Sequence, residues 1–343
     1  MYAPATIGGL VVANKLSTIN WRSAGARQSD KTNNLGYMNR TLLLAVLFTA
    51  LSLGGYAQEK RIIGMRPFSA ESPADSSVRH TVAFYHFQYL SDGLTIKGYL
   101  GVPKGVGKYP CIIYNRGGNE RLGTINEAEF IRFQGPICSK GYIVEASQYR
   151  GADSAEGKDE FGGKDVNDVL NLLPVLDEIP NADTSKIGMF GWSRGGMMTY
   201  IALTKTNRIK AAVVGSGLTD LIKLLEHRPV FAKMYAGVIP GYKKDKIAPL
   251  KERSAVYFAK DVCKTTPILI LHGTADQSVP ADQSLDIARR FYEVKQPFRY
   301  ILYEGGAHSL TAFSTHYYKE MIDWFDRYLK EGAPLPNLDG NGE

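Results

Sequence analysis

Short apolar runs alternate with polar loops through the second half of the chain, and each run has the pattern of a strand. Residues 187–190, 267–271 and 298–303 are such runs, and residues 267–271 are apolar at every position. An uninterrupted apolar run of this length is typical of a parallel strand covered by helices on both faces. Residues 197–203 are rich in Met, Ile and Leu and are expected to form a buried helix. The pattern predicts an α/β fold.

The sequence Gly-Trp-Ser-Arg-Gly-Gly occupies residues 191–196, between the first of these strands and the helix. A serine on a sharp strand-to-helix turn has a strained backbone, and Gly191 and Gly195 allow the chain to pack closely around it. Ser193 is therefore predicted to be a catalytic nucleophile. The amide of Arg194 falls at the helix start, where it has no intrahelical acceptor and is able to donate to an oxyanion.

Two later loops supply candidates for an acid and a base. Asp276 follows the run 267–271, and His308 follows the run 298–303. A nucleophile, an acid and a base in this chain order are typical of hydrolases. Ligands of open α/β sheets bind outside the carboxyl ends of the strands, so Ser193, Asp276 and His308 are expected to converge there.

Two other segments complete the predicted architecture. Residues 82–89 and 94–100 are strands joined at Ser-Asp-Gly, a turn sequence that favours a hairpin at one edge of the sheet. Residues 218–260 lie between two core strands and are expected to form a helical cap over the site. Its apolar side chains either line an acyl pocket or serve packing alone; they are Leu221, Leu224, Leu225, Phe231, Met234 and Tyr235.

On these residues the chain resembles the catalytic domain of the prolyl oligopeptidase family of serine peptidases, within the α/β-hydrolase fold. Besides the loops of Ser193, Asp276 and His308, the resemblance rests on segments in the family's order. They are residues 108–110 (Lys-Tyr-Pro), 149–151 (Tyr-Arg-Gly), 161–166 (Phe-Gly-Gly-Lys-Asp-Val) and 255–259 (Ala-Val-Tyr-Phe-Ala). The resemblance implies Ser193 as nucleophile, His308 as general base and Asp276 as its orienting carboxylate.

The resemblance also implies the domain organisation. Residues 108–330 are expected to form the hydrolase domain, a mostly parallel central sheet with helices on both faces and a short helical cap. Residues 58–107 are expected to add N-terminal strands, and residues 331–343 to form a disordered tail. Multi-domain members of the family carry a β-propeller ahead of this domain, and too few residues precede Lys108 to build one, so no size filter on substrates is expected.

The oxyanion segment departs from the family pattern. Family peptidases often carry Tyr there, or His-Gly-Gly in relatives, whereas this chain has Arg116 at that place. A backbone donor from Gly117 or Gly118 remains available for an oxyanion, beside the amide of Arg194. This departure leaves esters open as substrates beside peptides.

Several side chains near these motifs are weaker candidates for substrate contact. They are Arg116, Trp192, Tyr149, Arg150 and Arg194. Arg150 and Arg194 are able to bind a substrate carboxylate, although Tyr-Arg-Gly segments of this kind are usually scaffold.

Three further ionisable residues are interpreted as structural. His272 lies too near Asp276 in sequence to be its separate partner. Asp165 and Asp168 begin a helix and are interpreted as favourable charge at its N-terminus rather than as catalytic acids.

The N-terminal part has the pattern of a secretory signal. Residues 38–57 have a basic start at Arg40, a short apolar core and small residues at the end, too short for a membrane span. Residues 1–37 are expected to be disordered or an over-extended start, with an organellar transit peptide as the rival account. Export to the periplasm or medium is therefore expected, with the mature chain beginning near Gln58; a signal-anchor is the alternative.

The formal net charge of +7 falls to +3 once residues 1–37 and Arg40 are set aside, which is no nucleic-acid signature. The other histidines show no metal-ligand spacing, so no metal is expected and no cofactor is implied. Cys111, Cys138 and Cys263 are odd in number, so an exported form leaves at least one unpaired. The sequence leaves oligomeric state undetermined.

Three functions remain open. The first is a peptidase acting on small peptides or aminoacyl derivatives through an acyl-enzyme. The second is a carboxylesterase releasing an acyl group from a sugar or lipid. The third is a non-catalytic exported binding protein of the same fold, against which the intact set of Ser193, Asp276 and His308 argues.

Overall fold

The computed structural model describes residues 60–69 and 76–339. They belong to one compact unit, Lys60–Glu343. The disordered or over-extended start expected for residues 1–37, the signal expected for residues 38–57 and the last four residues of the expected tail lie outside the described residues.

A nine-stranded sheet forms the centre of this unit. Its strands are β1 (Ile62–Phe68), β2 (Val82–Ser91), β3 (Leu94–Pro103), β4 (Tyr109–Asn115), β5 (Ile143–Ser147), β6 (Ala182–Trp192), β7 (Ile209–Gly215), β8 (Ile268–Gly273) and β9 (Phe298–Tyr303).

The strand order is β1-β2-β3-β5-β4-β6-β7-β8-β9. The six strands from β5 to β9 in that order pair in parallel, and β1, β2 and β3 pair antiparallel at one end. The predicted mostly parallel sheet is confirmed. The predicted hairpin turns at Asp92 and Gly93, which have φ of 51° and 77°, the positive values that a two-residue hairpin loop requires. The sequence reasoning missed β1, which lies outside this hairpin.

Helices lie before, between and after the parallel strands. They are α1 (Ser76–Arg79), α2 (Glu127–Ser139), α3 (Val166–Leu170), α4 (Leu172–Asp177), α5 (Arg194–Leu203), α6 (Leu221–His227), α7 (Phe231–Val238), α8 (Ala248–Lys251), α9 (Ala255–Phe258), α10 (Asp282–Glu293) and α11 (Ser314–Phe325). The expected helical insertion between β7 and β8 is present as α6 to α9. No helix of the described part is long and apolar enough to cross a membrane.

The core has two halves, one on each face of the sheet. Cys111 and Ile113 of β4 belong to a cluster with α5, whereas Ile112 between them belongs to a second cluster with α2 and α11. Neighbouring side chains of a strand point to opposite faces, so the sheet is covered on both sides. This explains why its central strands are apolar at consecutive positions.

The chain beyond residue 330 differs from the disordered tail that the sequence suggests. Residues 331–339 are irregular, but the amide of Ala333 donates to the carbonyl of Arg327 at 2.9 Å. Ala333 also packs against the second core cluster. The start of this segment is therefore placed against the domain.

Candidate active site

Ser193 occupies the turn between β6 and α5, as the sequence predicts. Its backbone has φ 57° and ψ −122°, a conformation that L-residues rarely adopt. A Cβ on Gly191 would lie 2.1 Å from the carbonyl oxygen of Gly195, and one on Gly195 would lie 1.9 Å from that of Asn115. Both positions therefore require glycine if the turn is to close around the serine.

Asp276 and His308 lie in the loops that leave β8 and β9, and they form a hydrogen-bonded pair. The distance from His308 Nδ1 to Asp276 Oδ2 is 2.7 Å. The other carboxylate oxygen of Asp276 accepts from the amides of Ser278 at 2.8 Å and Val279 at 2.9 Å. The imidazole of His308 is thus held by a carboxylate that is itself fixed.

The environment of Asp276 keeps it ionised. Burial raises the pKa of its carboxyl group, but hydrogen bonds from His272 and His308 and from the amide of Val279 outweigh this effect. The pKa of Asp276 is therefore lowered from its usual value, and the residue remains a carboxylate beside His308.

Ser193 and His308 line one cavity of about 560 Å³ at the carboxyl edge of the sheet. Its walls come from both faces of the sheet, because they continue the two core clusters. The wall beside α2 includes Tyr114, Ile125, Phe130, Phe133 and Trp192, and the wall beside the cap includes Phe161, Leu218, Phe231 and Val279. The cavity is thus mainly apolar, and the expected convergence at the strand ends is present.

Backbone donors lie next to the serine. A Cβ built on Gly117 would be 3.4 Å from the Cβ of Ser193 and 4.0 Å from its Oγ, which places the Gly117 backbone against Ser193. Gly117 and Gly118 both line the cavity. Arg194 is the first residue of α5, so its amide has no acceptor within the helix. The residues expected to supply oxyanion donors therefore line the same cavity as Ser193.

The side chain of Arg194 is not a substrate contact, contrary to one expectation. Its guanidinium is 1% exposed and donates to Asp159 at 2.6 and 2.8 Å and to Asp165 at 2.5 Å. Burial lowers the pKa of Arg194, but the two carboxylates outweigh it and raise the value. The ion pairs therefore hold the guanidinium away from a substrate, although its buried Nε has no hydrogen-bond partner among the described residues.

The oxyanion loop is tied to this ion-pair cluster. Arg194 also donates to the carbonyl of Gly118 at 2.9 Å, and Asp159 accepts from the amide of Glu120 at 2.8 Å. Helix α5 and the loop that carries Gly117 and Gly118 are therefore held in one arrangement by buried charge. Asp159 is a residue that the sequence reasoning missed.

Arg116 and Tyr149 are also not placed as substrate contacts. Arg116 is 1% exposed, and its guanidinium donates to the carbonyls of Gly117, Glu120, Leu122 and Gln148. Tyr149 is fully buried, and its hydroxyl donates to the carbonyl of Arg116 at 3.2 Å. Both side chains pack against the loop that carries Gly117 and Gly118 from within the protein and do not face the cavity. Trp192 does line the cavity, with its indole donating to the carbonyl of His308 at 2.8 Å.

Arg150, Asp165 and Asp168 are parts of buried ion pairs rather than surface charges. Arg150 donates to Asp168 at 2.8 Å, which agrees with its interpretation as scaffold. Asp165 accepts from Arg194 and from the amides of Gly162 and Gly163. Asp165 is the N-cap residue of α3 and Asp168 lies in its first turn, as interpreted, but both are fully buried and also serve as partners of the arginines.

His272 is structural, but it does contact Asp276. Its Nε2 lies 2.8 Å from the carbonyl oxygen of Val279 and 3.3 Å from Oδ2 of Asp276, and its Nδ1 bonds with the hydroxyl of Ser284. The loop folds back after Gly273, so His272 and Asp276 come into contact although they are only four residues apart in sequence. Within residues 60–69 and 76–339 no group of His, Cys, Asp and Glu has the arrangement of a metal site.

Comparison with known proteins places this site in a family. The model described as "Prolyl oligopeptidase family" matches residues 130–332. A Bacillus subtilis (strain 168) protein named "Uncharacterized peptidase YtmA" is 30% identical over 228 residues, which are 66% of this chain and 86% of that protein.

Solved structures resemble the fold. A Pyrococcus horikoshii acylaminoacyl peptidase matches with a TM-score of 0.64 at 25% identity, covering 73% of this chain and 42% of that one. A puromycin-hydrolyzing peptidase of Mycobacterium tuberculosis matches with a TM-score of 0.61 at 25% identity, covering 71% of this chain and 39% of that one. The chain therefore spans less than half the length of these two peptidases.

Proposed function

Because the chain belongs to the prolyl oligopeptidase family, a family of peptidases with the α/β-hydrolase fold, we propose that Ser193, His308 and Asp276 are its catalytic triad. The observation that carries this proposal is the bond from His308 to Asp276 beside the cavity that Ser193 lines. The enzyme would cleave peptide or aminoacyl bonds in two steps, through an acyl-enzyme.

The first step is attack by Ser193 on the substrate carbonyl. Ser193 is a weak nucleophile while its hydroxyl is protonated, so His308 accepts that proton through Nε2 as the bond to carbon forms. Asp276 bonds to Nδ1, which fixes the tautomer and stabilises the imidazolium. The imidazolium then gives the proton to the leaving amine. Water repeats these steps on the acyl-enzyme and releases the acid.

The amides of Arg194 and of Gly117 or Gly118 stabilise the negative oxygen of the tetrahedral intermediate. Each such donor contributes about 3 kcal/mol in comparable sites. The buried network of Arg116, Arg194 and Asp159 supports this role because it fixes the loop that carries the two glycines.

An active-site fluorophosphonate tests the nucleophile. Wild type should be labelled, and Ser193→Ala should lose both the label and about a millionfold in turnover because triad residues act as a unit. Ser185→Ala, at an exposed serine, is the matched control and should behave as wild type. Labelling that survives in Ser193→Ala would place the nucleophile elsewhere, and absence of label in wild type would oppose the proposal.

The scissile bond is decided by a panel of substrates. We expect aminoacyl amides and short peptides to be hydrolysed, as the names of the acylaminoacyl and puromycin-hydrolyzing peptidases suggest. Short and long acyl esters form the second arm, since the mainly apolar cavity accepts acyl chains as well. Turnover of esters alone would favour the carboxylesterase alternative.

We further propose that the enzyme is exported, on the signal pattern of residues 38–57. Expressed from Met38 in a bacterium, it should be found outside the cytoplasm with Gln58 or a near neighbour at its amino terminus. Intact mass of the exported form measures this. A membrane-bound form that retains residues 38–57 would support the signal-anchor instead.

A further inference from the structure

Arg228 lies at the edge of the catalytic cavity, directly after α6. It lines the same cavity as Ser193 and His308. Its Nη1 donates to the carbonyl of Ser278 at 3.0 Å, and its guanidinium stacks over the ring of Phe231 with 4.8 Å to the ring centroid. Both contacts hold the half-buried guanidinium in one place within the cap wall.

The charge of Arg228 has no counterion within residues 60–69 and 76–339. The other arginines next to the site differ in this respect, since Arg194 is paired with Asp159 and Arg150 with Asp168. Among the residues that the structure describes, one of the five N–H donors of Arg228 has an acceptor, and that acceptor is a neutral carbonyl. A positioned guanidinium with free donors is suited to a carboxylate, which its planar geometry binds through two hydrogen bonds.

The opposite wall carries the opposite charge. Glu129 of α2 also lines the cavity, is exposed, and forms no ion pair with any residue that the structure describes. The two walls continue the clusters on opposite faces of the sheet, and Ser193 lines the cavity that they enclose. Glu129 repels an anion from its own wall, so a substrate carboxylate has one favourable direction, toward Arg228.

We infer that Arg228 binds a carboxylate of the substrate, and that the enzyme prefers peptides or aminoacyl derivatives with an acidic group beside the scissile bond. This inference rests on the proposed function. Arg228 determines specificity. When the substrate carboxylate binds, it takes the place of water molecules at the guanidinium, and this binding positions the bond to be cleaved at Ser193.

Matched substrate pairs test it. N-acetyl-glutamyl and N-acetyl-glutaminyl p-nitroanilide vary the acyl side, and alanyl-glutamyl amide and alanyl-glutaminyl amide vary the leaving side. In wild type we expect kcat/KM to be about tenfold or more higher for the acid in at least one pair, since a charged hydrogen bond contributes that much. The ratio of acid to neutral substrate should approach one in Arg228→Gln, and Arg228→Lys should keep part of it.

The ratio separates specificity from catalysis, because any effect of Arg228→Gln on the reaction itself acts on both members of a pair. Arg289→Gln removes an exposed charge on α10 and is the control; both rates should stay at wild-type values. High salt should lower the wild-type preference through screening. Equal kcat/KM for acid and neutral substrates in both pairs of wild type would overturn the inference while leaving the peptidase proposal intact.

Protection from labelling gives a second readout that needs no turnover. Glutarate should slow fluorophosphonate labelling of Ser193 more than glutaramide does in wild type, and this difference should vanish in Arg228→Gln. Equal protection by the two in wild type would contradict the inference. Absence of labelling in wild type would instead show that the proposed function has failed.

Discussion

Nε2 of His272 lies 3.3 Å from Oδ2 of Asp276, the same oxygen that bonds with His308 Nδ1 at 2.7 Å. Nε2 also lies 2.8 Å from the carbonyl oxygen of Val279, which only accepts hydrogen bonds, so Nε2 carries a proton. That N–H bonds with Val279 and also lies beside Oδ2 of Asp276, so a fully buried N–H borders the carboxylate on one side while His308 bonds with it on the other. His272 is a positioning residue for the pair.

Replacing His272 tests this positioning role. His272→Phe fills the space but removes the donor, and we expect kcat to fall by about tenfold, since a hydrogen bond to a charged group contributes about 1.5–3 kcal/mol. KM should change little, because His272 does not line the cavity. Steady-state kinetics measure both. His80→Gln, at an exposed histidine, is the control; unchanged kcat in His272→Phe would show that Asp276 is held without it.

Asp276→Asn should cost more than the loss of His272. The amide oxygen of Asn is still able to accept from the amides of Ser278 and Val279, so the loop should keep its shape. Its NH2 group, however, favours the wrong tautomer of His308, and kcat should fall by about ten-thousandfold. Kinetics together with thermal unfolding check this, with Asp261→Asn as an exposed control. A loss below tenfold would mean that another carboxylate orients His308.

Asp159→Asn tests the buried charge behind the oxyanion loop. The pKa of Asp159 is lowered, because burial raises it but the ion pair with Arg194 outweighs that effect. Removing this charge leaves Arg194 with Asp165 alone, and breaking a buried pair of this kind costs about 3–5 kcal/mol. Chemical denaturation should show a loss of that order. Asp323→Asn, at an exposed pair, should show almost none; equal stability of the two variants would contradict this account.

The sequence was sufficient for the parts of the site that depend on local pattern. Apolar runs followed by loops place Ser193, Asp276 and His308 at strand ends, because parallel strands bring their carboxyl ends to one edge. The predictions of the sheet and of the helical cap also rested on local apolar patterns, and both were confirmed. β1 was missed because its pattern is mixed and its pairing with β2 shifts register between Ile62 and Gly64.

Side-chain partners were the part that the sequence did not predict. Arg194 looked available to substrate because it follows Ser193, but its partner Asp159 lies 35 residues away and reaches it only through the folded loop. Arg116 likewise bonds with carbonyls that are brought close by tertiary structure, including that of Gln148, 32 residues away. No local sequence pattern predicts such long-range partners. Because a buried charge needs a partner, an arginine next to a glycine-rich loop does indicate that an acidic residue elsewhere in the chain pairs with it.

Glu145 offers the last test, through stability. It lies in the middle of β5, paired with Ile113 and Leu100 on the neighbouring strands, and is fully buried. Neither carboxyl oxygen has a hydrogen-bond partner among the residues that the structure describes. Burial is the largest cause that raises the pKa of Glu145 well above its usual value, and the charge of Asp177 adds to it while Arg208 opposes it. The folded protein therefore holds Glu145 protonated.

The sign of the pH effect follows from that proton. Below the unfolded pKa of about 4.3 both states hold the proton; above it only the folded state does, so the free energy of unfolding falls by up to about 1.4 kcal/mol per pH unit. The fall continues until the pH passes the folded pKa. Glu145→Gln removes this contribution, so its stability relative to wild type should rise with pH above pH 5, until the pH passes the folded pKa, in chemical denaturation. Exposed Glu252→Gln should run parallel to wild type, and a parallel course for Glu145→Gln would mean that Glu145 is ionised in the fold.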